Sequence, residues 1–192
     1  MSILLNKDTR VLVQGITGKT GRVQTEWMLQ YGTKIVAGVT PGKGGEVVEG
    51  VPVFNTVAEA VEKTGAEASV FFIPPPAFKA AAKETIDSGV KLIVVVTEHI
   101  PVHDVMEVRE YAAGHDVQII GPTSPGVITP GEAKVGIMPG NMFNPGRIGI
   151  ISRSGTLSYE VSINLATGGF GQSTVVGIGA DPVVFTSMSE LL

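Results

Sequence analysis

The feature that most constrains the fold is an apolar run that leads directly into regularly spaced glycines. Residues 11–14 have the apolar character of a strand covered on both faces of a sheet. Gly15, Gly18 and Gly21 follow in G-x-x-G-x-x-G spacing, a variant of the dinucleotide-binding fingerprint. Such glycines let the backbone approach a ligand, and the next helix offers free N–H groups to a phosphate. The pattern predicts a strand–turn–helix unit that binds a phosphate; a tight turn without a ligand is the alternative.

The second predicted strand, at residues 34–39, ends without an acidic residue. An NAD site usually has Asp or Glu there to bind the ribose hydroxyls. Here Lys43 lies among glycines in the run 40–45. A lysine suits a ribose that carries an additional phosphate, which NADP and coenzyme A (CoA) share. A solvated lysine in a flexible turn is the alternative interpretation.

Length and composition exclude several classes of protein. A chain of 192 residues suits one full domain and part of a second, and 43% hydrophobic content can form a core. A net charge of -4 without a basic stripe argues against a nucleic-acid partner. The absence of cysteine excludes disulfides and a thiol nucleophile. Neither a signal peptide nor a run of about 18 apolar residues occurs, so we predict a cytoplasmic protein without a membrane partner.

Strand and helix patterns alternate over the first 120 residues. We predict strands at 10–15, 34–39, 69–73, 91–96 and 117–120, and helices at 20–31, 56–63, 77–88 and 103–113. The first helix is predicted to place Val23, Trp27, Met28 and Tyr31 on one face. This alternation predicts an α/β fold with a doubly wound, mostly parallel sheet over residues 1–121, with ligands at the carboxyl ends of its strands.

The remaining residues are predicted to form a connector and an incomplete second domain. Glycine and proline recur over 122–146, which is typical of turns. Residues 147–192 then give a strand, a helix with Leu157, Val161 and Leu165 at four-residue spacing, another strand and the beginning of a helix. Two strands cannot bury both faces of a parallel sheet with this little cover, so we expect a fragment of a longer protein. A natural short form completed by a partner is the alternative.

A series of motifs occurs in one order along the chain and carries a resemblance to a known family. The motifs lie at 14–18, 38–45, 52–57, 97–98, 121–122, 125–132, 149–157 and 177–179. Together they resemble the alpha subunits of succinate–CoA ligase (succinyl-CoA synthetase). The resemblance implies a Rossmann-like CoA-binding domain followed by a flavodoxin-like ligase domain.

The resemblance also implies a reaction and partners. It implies reversible synthesis of succinyl-CoA from succinate and CoA, driven by ATP or GTP, in the tricarboxylic acid cycle. The alpha subunit of this family is transiently phosphorylated on a histidine, and a beta subunit holds the Mg²⁺-nucleotide. We expect that histidine beyond Leu192, so this chain alone is expected to be inactive and to contain no catalytic residue.

The resemblance assigns candidate binding residues at matching positions. Those for CoA are Thr17, Gly18, Lys19, Thr20, Lys43, Val96, Thr97 and Glu98. Those for phosphate are Ser152, Arg153, Ser154, Gly155 and Thr156, and the residue for the acid substrate is Tyr159. Serines and a glycine before a helix also suit an anion on chemical grounds. Three simpler interpretations stay open: a carboxylate at a helix start for Glu98, a helix cap for Ser154 and packing for Tyr159.

The histidines and two departures from the family pattern complete the predictions. His99, His103 and His115 are predicted to be surface or packing residues, because none has the spacing of a triad or a metal site. The family usually has Asn-Cys where this chain has 123–124, and Gly where it has Ala180. We expect the alanine to disfavour a positive φ and to limit close backbone approach.

Two other functions share part of this pattern. An NADP-dependent reductase would also use a glycine turn and a lysine at the ribose phosphate. A CoA-binding module without catalytic activity would use the same first domain, although the anion site in the second domain argues against it.

Overall fold

The computed structural model describes residues 3–192, and its first part is a seven-stranded sheet. The strands are β1 (Val11–Gln14), β2 (Ile35–Val39), β3 (Val47–Val48), β4 (Val51–Phe54), β5 (Ala68–Phe71), β6 (Leu92–Val95) and β7 (Gln118–Ile120). The order is β3-β4-β2-β1-β5-β6-β7, and every neighbouring pair except β3 and β4 is parallel. Helices α1 (Lys19–Tyr31), α2 (Val57–Thr64), α3 (Phe78–Asp87) and α4 (Val102–Ala112) connect the strands. The predicted doubly wound parallel sheet is confirmed.

The central strands are buried along their whole length, as the apolar runs predict. All residues of β1, β5 and β6 are buried. The polar Gln14 is accommodated because its amide donates hydrogen bonds to Thr85 Oγ1 at 2.6 Å and Ser69 Oγ at 3.2 Å. A buried amide with partners avoids the cost of an unsatisfied polar group.

The structure adds a hairpin at the sheet edge that the sequence pattern did not predict. Strands β3 and β4 are antiparallel and are joined by Glu49 and Gly50, with φ of 52° and 80°. Two successive positive φ angles are typical of a type I′ turn. β4 then pairs in parallel with β2 and extends the sheet beyond the predicted five strands.

Residues 126–177 contain a second sheet, which differs from the predicted connector. Its strands are β8 (Gly126–Thr129), β9 (Ala133–Gly136), β10 (Pro145–Ser152) and β11 (Gln172–Gly177), in the order β10-β11-β8-β9. β10 and β11 are parallel, and the other pairs are antiparallel. Helices α5 (Gly155–Thr167) and α6 (Met188–Leu191) complete this part. Thus two strands of the sheet come from residues predicted to be a connector.

Glycines in these two strands permit a close backbone approach. Gly126 and Gly136 are paired across β8 and β9, and each has a φ of 116°. A Cβ on Gly126 would overlap the Val135 carbonyl oxygen, and one on Gly136 would overlap Gly126 itself. The glycines that suggested irregular turns therefore allow this hairpin to form.

The second sheet is covered on both faces where β8 and β11 run. On one face, Val127 and Val176 join the core cluster of the first sheet. On the other face, Ile128 and Val175 pack with Phe143, Tyr159 and other apolar side chains. The sequence pattern predicts a sheet with too little cover. In the structure, the first sheet covers one face of β8 and β11, and α5 helps to cover the other.

Two helices turn different faces inward than their apolar spacing predicts. In α1, Met28 is buried as predicted, but Val23 and Trp27 are 38% and 49% exposed, and Gly21, Gln24 and Thr25 are also buried. In α5, the buried residues are Ser158 and Ser162, while Leu157 and Val161 are exposed. Small side chains allow a helix to approach its neighbours closely, and Ser158 Oγ donates to the Gly155 carbonyl.

None of the helices within residues 3–192 is long and apolar enough to cross a membrane.

Candidate functional site

The glycine turn after β1 holds the start of α1 close to the sheet. Gly15 has a φ of 75°, and its carbonyl oxygen accepts a hydrogen bond from Gly18 N at 3.0 Å. A Cβ on Gly15 would overlap the Phe72 carbonyl oxygen, and one on Gly21 would overlap that of Gly15. These two glycines therefore have a packing role that is independent of any ligand.

The N-terminus of α1 fits a phosphate group. Gly18 is its N-cap residue, no side chain caps the helix, and the first turn contains no acidic residue. Lys19 and Thr20 are exposed at this helix start. Uncapped first-turn N–H groups and the helix dipole favour an anion. The predicted CoA residues 17–20 thus lie together at a helix end that is open to a ligand.

Lys43 lies at the same edge of the sheet. Its loop begins at Thr40, directly after β2, and Thr17 Oγ1 contacts Thr40 Oγ1 at 3.2 Å. The Lys43 side chain is 53% exposed and forms an ion pair with Glu46 at 3.0 Å. The carboxyl ends of β1 and β2 therefore present an uncapped helix start and an accessible cation side by side.

The residues after β6 reach a different part of the same edge. Thr97 is buried, and its Oγ1 donates to the Ile73 carbonyl at 2.9 Å, so it joins the loops that follow β5 and β6. Glu98 is exposed. The nearest helix, α4, begins at Val102 with Pro101 as its N-cap residue. Glu98 therefore does not lie in a first helical turn, so a carboxylate at a helix start does not explain it.

The turn between β10 and α5 forms a second candidate anion site. Ser154 is the N-cap residue, and its Oγ accepts a hydrogen bond from Leu157 N at 3.3 Å. Ser152 Oγ accepts from Ser154 N at 3.1 Å and donates to the Ser154 carbonyl at 2.9 Å. Within residues 3–192, no acceptor is found for the N–H groups of Gly155 and Thr156. The serines fix the turn, and the next two N–H groups are available to an anion.

A pocket of about 510 Å³ connects this turn with the end of β6. Its lining combines residues from the loops next to strands of both sheets with residues of α5: Val96, Glu98, Thr123, Ser124, Pro125, Ile137, Arg153, Ser154, Gly155, Thr156, Tyr159 and Ala180. The structure thus brings together part of the predicted CoA set, most of the predicted phosphate set and the predicted substrate residue. Residues 17–20 and Lys43 lie outside this lining.

Tyr159 has packing contacts and also lines the pocket. Its ring meets the Phe143 ring edge to face, with centroids 6.0 Å apart. Burial raises the pKa of the Tyr159 hydroxyl, so the group is neutral at physiological pH and can donate a hydrogen bond. A Cβ on Gly155 would lie 3.5 Å from this hydroxyl. The hydroxyl therefore lies beside the start of α5.

Arg153 differs from the other predicted phosphate residues. Its guanidinium donates hydrogen bonds to the carbonyl oxygens of Gly179, Ala180 and Asp181. These bonds tie the end of β10 to the loop after β11. Two of the three guanidinium nitrogens, Nε and Nη2, thus donate to backbone carbonyl oxygens. The strand–turn–helix pattern of the sequence does not reveal these contacts.

The two departures from the family pattern have different structural effects. Ala180 does not have a positive φ, whereas Gly179 before it has a φ of 107°, so the expected backbone conflict at Ala180 does not occur. Thr123 instead has a φ of 53°, and its buried Oγ1 has no hydrogen-bond partner. Ser124 is 2% exposed, accepts from Gly126 N and donates to the Gly177 carbonyl. Thr123 is therefore the strained departure, since a β-branched residue disfavours this conformation.

The histidines lie outside the pocket. His99 has a 91% exposed side chain, and His115 stacks on Tyr111 with ring centroids 5.1 Å apart. His103 is exposed on α4. Across residues 3–192, no group of three or more His, Asp or Glu side chains could hold a metal ion.

Comparisons with known sequences show what the chain is similar to. Residues 6–99 match the family model described as CoA binding domain. The chain is 58% identical over 185 residues to the succinate–CoA ligase [ADP-forming] alpha subunit of Aquifex aeolicus. It is 52% identical over 192 residues to that of Staphylococcus aureus and 55% identical over 190 residues to that of Methanothermobacter thermautotrophicus. These matches include 95–100% of this chain but only 61–64% of the relatives' lengths.

Solved structures share the arrangement at much lower identity. ATP citrate lyase from Methanothrix soehngenii, solved with citrate and coenzyme A, has a TM-score of 0.85 and 21% identity over 98% of this chain and 34% of its own. Protein PH0766 from Pyrococcus horikoshii has a TM-score of 0.78 and 21% identity over 97% of this chain and 43% of its own. These likenesses support the fold. Residues 6–99 thus resemble a CoA binding domain, and over nearly its whole length the chain is similar to the alpha subunits of succinate–CoA ligase.

Proposed function

We propose that this chain supplies the CoA-binding and phosphate-binding parts of the alpha subunit of a nucleotide-dependent acid–CoA ligase. The overall reaction is succinate + CoA + nucleoside triphosphate to succinyl-CoA + nucleoside diphosphate + phosphate. The observation that carries the proposal is the pocket that joins the end of β6 to the start of α5. The end of β6 and N–H groups suited to a phosphoryl group meet at this pocket, which supports the proposal.

Each part of the site has a role in this proposal. Residues 17–20 and Lys43 bind the phosphates of CoA through helix N–H groups, hydroxyls and a cation. Residues 96–98 direct the thiol end of CoA towards the pocket. The N–H groups of Gly155 and Thr156 stabilise negative charge on a phosphate, and the neutral Tyr159 hydroxyl donates to the carboxylate of the acid.

The remaining chemistry comes from other parts of the ligase. Because His99, His103 and His115 lie outside the pocket, we infer that the phosphorylated histidine is not among residues 3–192. A beta subunit holds the nucleotide and Mg²⁺, and it determines whether ATP or GTP is used. Relatives named as ADP-forming support this proposal, while the pattern of the glycine turn alone also suits a reductase.

The first test compares ligands by isothermal titration calorimetry. CoA is expected to bind, and NADP⁺ is expected to bind much more weakly, because the pocket beyond β6 suits a thiol arm and a phosphate. Failure to bind CoA, or equal affinity for NADP⁺, would contradict the proposal.

A second test addresses the start of α5 with inorganic phosphate. Phosphate is expected to shift the NMR signals of the Gly155 and Thr156 amides. Ser154→Asp keeps an efficient N-cap residue but adds a negative charge, so the helix persists while phosphate affinity falls. Thr56→Asp is the matched control, because Thr56 caps α2 through a bond from Glu59 N and lies outside the pocket. Equal phosphate affinity of the two variants would contradict the assignment.

A further inference from the structure

The loop that carries Lys43 is fully ordered by hydrogen bonds. Each backbone N–H group from residue 42 to residue 46 has an acceptor within the protein. Three acceptors are the carbonyl oxygens of Thr40, Lys43 and Val53, at 2.9–3.1 Å. The remaining two N–H groups both donate to Asn55 Oδ1. One side-chain atom from beyond β4 therefore accounts for two of the five hydrogen bonds.

Those two bonds lie on either side of Lys43. Asn55 Oδ1 accepts from Gly42 N and from Gly44 N, each at 2.9 Å. Gly42 has a φ of 78°, a conformation that favours glycine, and its N–H group finds an acceptor in Asn55, outside the loop. A Cβ on Gly44 would overlap the Asn55 amide, which shows how closely the amide packs under the loop. One oxygen therefore holds the 41–42 and 43–44 peptide units, while Lys43 N donates to the Thr40 carbonyl at 3.0 Å.

The Lys43 side chain itself has no comparable restraint. It is half exposed and pairs with Glu46 in its own loop. An exposed ion pair of this kind contributes little, because water screens the attraction and two flexible side chains must be ordered. The direction of the ammonium group therefore depends on the backbone, and Asn55 accepts two of the five hydrogen bonds that hold this backbone.

We propose that Asn55 is the positioning residue that sets Lys43 for the ribose phosphate of CoA and so gives the site its selectivity for CoA over dephospho-CoA. The inference rests on the proposed function, since it assumes that CoA is the ligand. A loop ordered before binding does not have to be ordered at the moment of binding, so more of the charge contact is retained as affinity. Loss of the amide oxygen leaves two N–H groups without their acceptor and releases the loop.

The test measures the ratio of the dissociation constants for dephospho-CoA and CoA. In the wild type the ratio is expected to be about 10 or more, the effect of one charge-assisted hydrogen bond. Asn55→Ala is expected to lower this ratio towards 1 by weakening CoA while the affinity for dephospho-CoA is unchanged. Gly44→Ala adds a Cβ that would overlap the Asn55 side-chain amide, and this variant is expected to lower the ratio in the same way. Lys43→Gln, which removes the charge, is the reference for complete loss of selectivity.

Amide hydrogen exchange provides a readout of the loop itself. Asn55→Ala is expected to accelerate exchange at Gly42 and Gly44, and Asn55→Asp is expected to preserve protection because it keeps the acceptor oxygens. Asn6→Ala is the matched control. Asn6 Oδ1 also accepts two N–H groups, from Asp8 at 2.8 Å and Thr9 at 3.1 Å, but its turn precedes β1 at the opposite edge of the sheet. This control is expected to loosen its own turn and leave the ratio unchanged.

The possible results separate the proposal from the function on which it rests. An unchanged ratio in Asn55→Ala, or equal weakening of both ligands, would overturn the role of Asn55 while CoA binding by the wild type stands. A wild type that binds CoA and dephospho-CoA equally would overturn the selectivity in the same way. A wild type that does not bind CoA would overturn the proposed function and the inference together.

Discussion

Arg153 donates a hydrogen bond from Nη2 to the carbonyl oxygen of Ala180, 3.2 Å away, and so joins two segments that line one pocket. The same side chain donates from Nε to the Gly179 carbonyl at 3.3 Å and from Nη2 to the Asp181 carbonyl. Because these carbonyls follow β11, a side chain at the end of β10 fixes the loop opposite α5. The guanidinium suits this function, since its planar fork can donate to several acceptors at once.

Replacing Arg153 by lysine is expected to loosen this loop although the charge is kept, because an ammonium cannot reach three carbonyls in one geometry. Exchange of the Ala180 amide, which donates to the Thr123 carbonyl at 3.4 Å, is expected to accelerate about 10-fold or more. Arg147→Lys, at an exposed site in β10, is the control and is expected to leave this exchange unchanged. Unchanged protection of Ala180 in Arg153→Lys would show that the carbonyl bonds do not hold the loop.

Thr123→Asn is expected to increase the free energy of unfolding by about 1 kcal/mol, because Asn tolerates a positive φ better than a β-branched residue. Urea unfolding monitored by circular dichroism measures the change. Glu49→Asn is the matched control, since Glu49 has a φ of 52° in the β3–β4 turn and lies outside the pocket. Both variants should gain stability, and only Thr123→Asn should change phosphate affinity. A less stable Thr123→Asn would argue that the threonine is not strained.

Lys134 is expected to make the free energy of unfolding increase as the pH rises above about 8. Burial lowers the pKa of this lysine to about 8, the side chain is 3% exposed, and Nζ donates to the Met138 carbonyl at 2.9 Å. Between about pH 8 and pH 10.5 the unfolded chain binds more protons at this group, so stability rises with pH across that interval. From pH 7 to pH 9.5 the gain attributable to Lys134 is expected to be about 2 kcal/mol.

The measurement compares wild type with Lys134→Met by urea unfolding at pH 7 and pH 9.5. Lys134→Met lacks the titrating amine. Its gain in the free energy of unfolding from pH 7 to pH 9.5 should therefore be about 2 kcal/mol smaller than that of the wild type. Trp27 is the sole tryptophan, and Lys134 Nζ lies 5.9 Å from its ring centroid. Its fluorescence is therefore expected to change with a midpoint near pH 8 in the wild type and not in the variant. The same pH dependence in both proteins would contradict the assignment.

The first sheet could be predicted from the sequence because its signals are local and strong. The apolar runs of β1, β5 and β6 and the glycine spacing after β1 each determine a nearby conformation. The hairpin of β3 and β4 could not be predicted, because β3 has only two residues and the turn is Glu49-Gly50 and not the more common Asn-Gly. The two strands within the predicted connector could not be predicted, because glycine is typical of turns. Gly126 and Gly136 are instead strand residues, and the lack of a Cβ lets their two strands approach closely.

The candidate site was predictable in its residue types but not in its hydrogen bonds. A helix N-terminus after serines or glycines can be recognised from spacing, and the resemblance placed 17–20 and 152–156 at such ends. The sequence could not show that Arg153 faces three carbonyls 26 to 28 residues later along the chain. Nor could it show that Asn55 holds the Lys43 loop, because that contact depends on the fold of the unpredicted hairpin.

The last prediction concerns the three histidines. Incubation of this chain with a beta subunit of the succinate–CoA ligase type and labelled ATP is expected to leave His99, His103 and His115 unphosphorylated. A histidine must meet both the nucleotide and the acid to carry a phosphoryl group between them. None of the three lines the pocket that contains Tyr159 and the start of α5. Phosphate can still bind at Gly155, because its N–H group and the helix dipole act without a histidine. Acid-labile phosphate on any of these histidines would move the site of phosphoryl transfer away from this pocket.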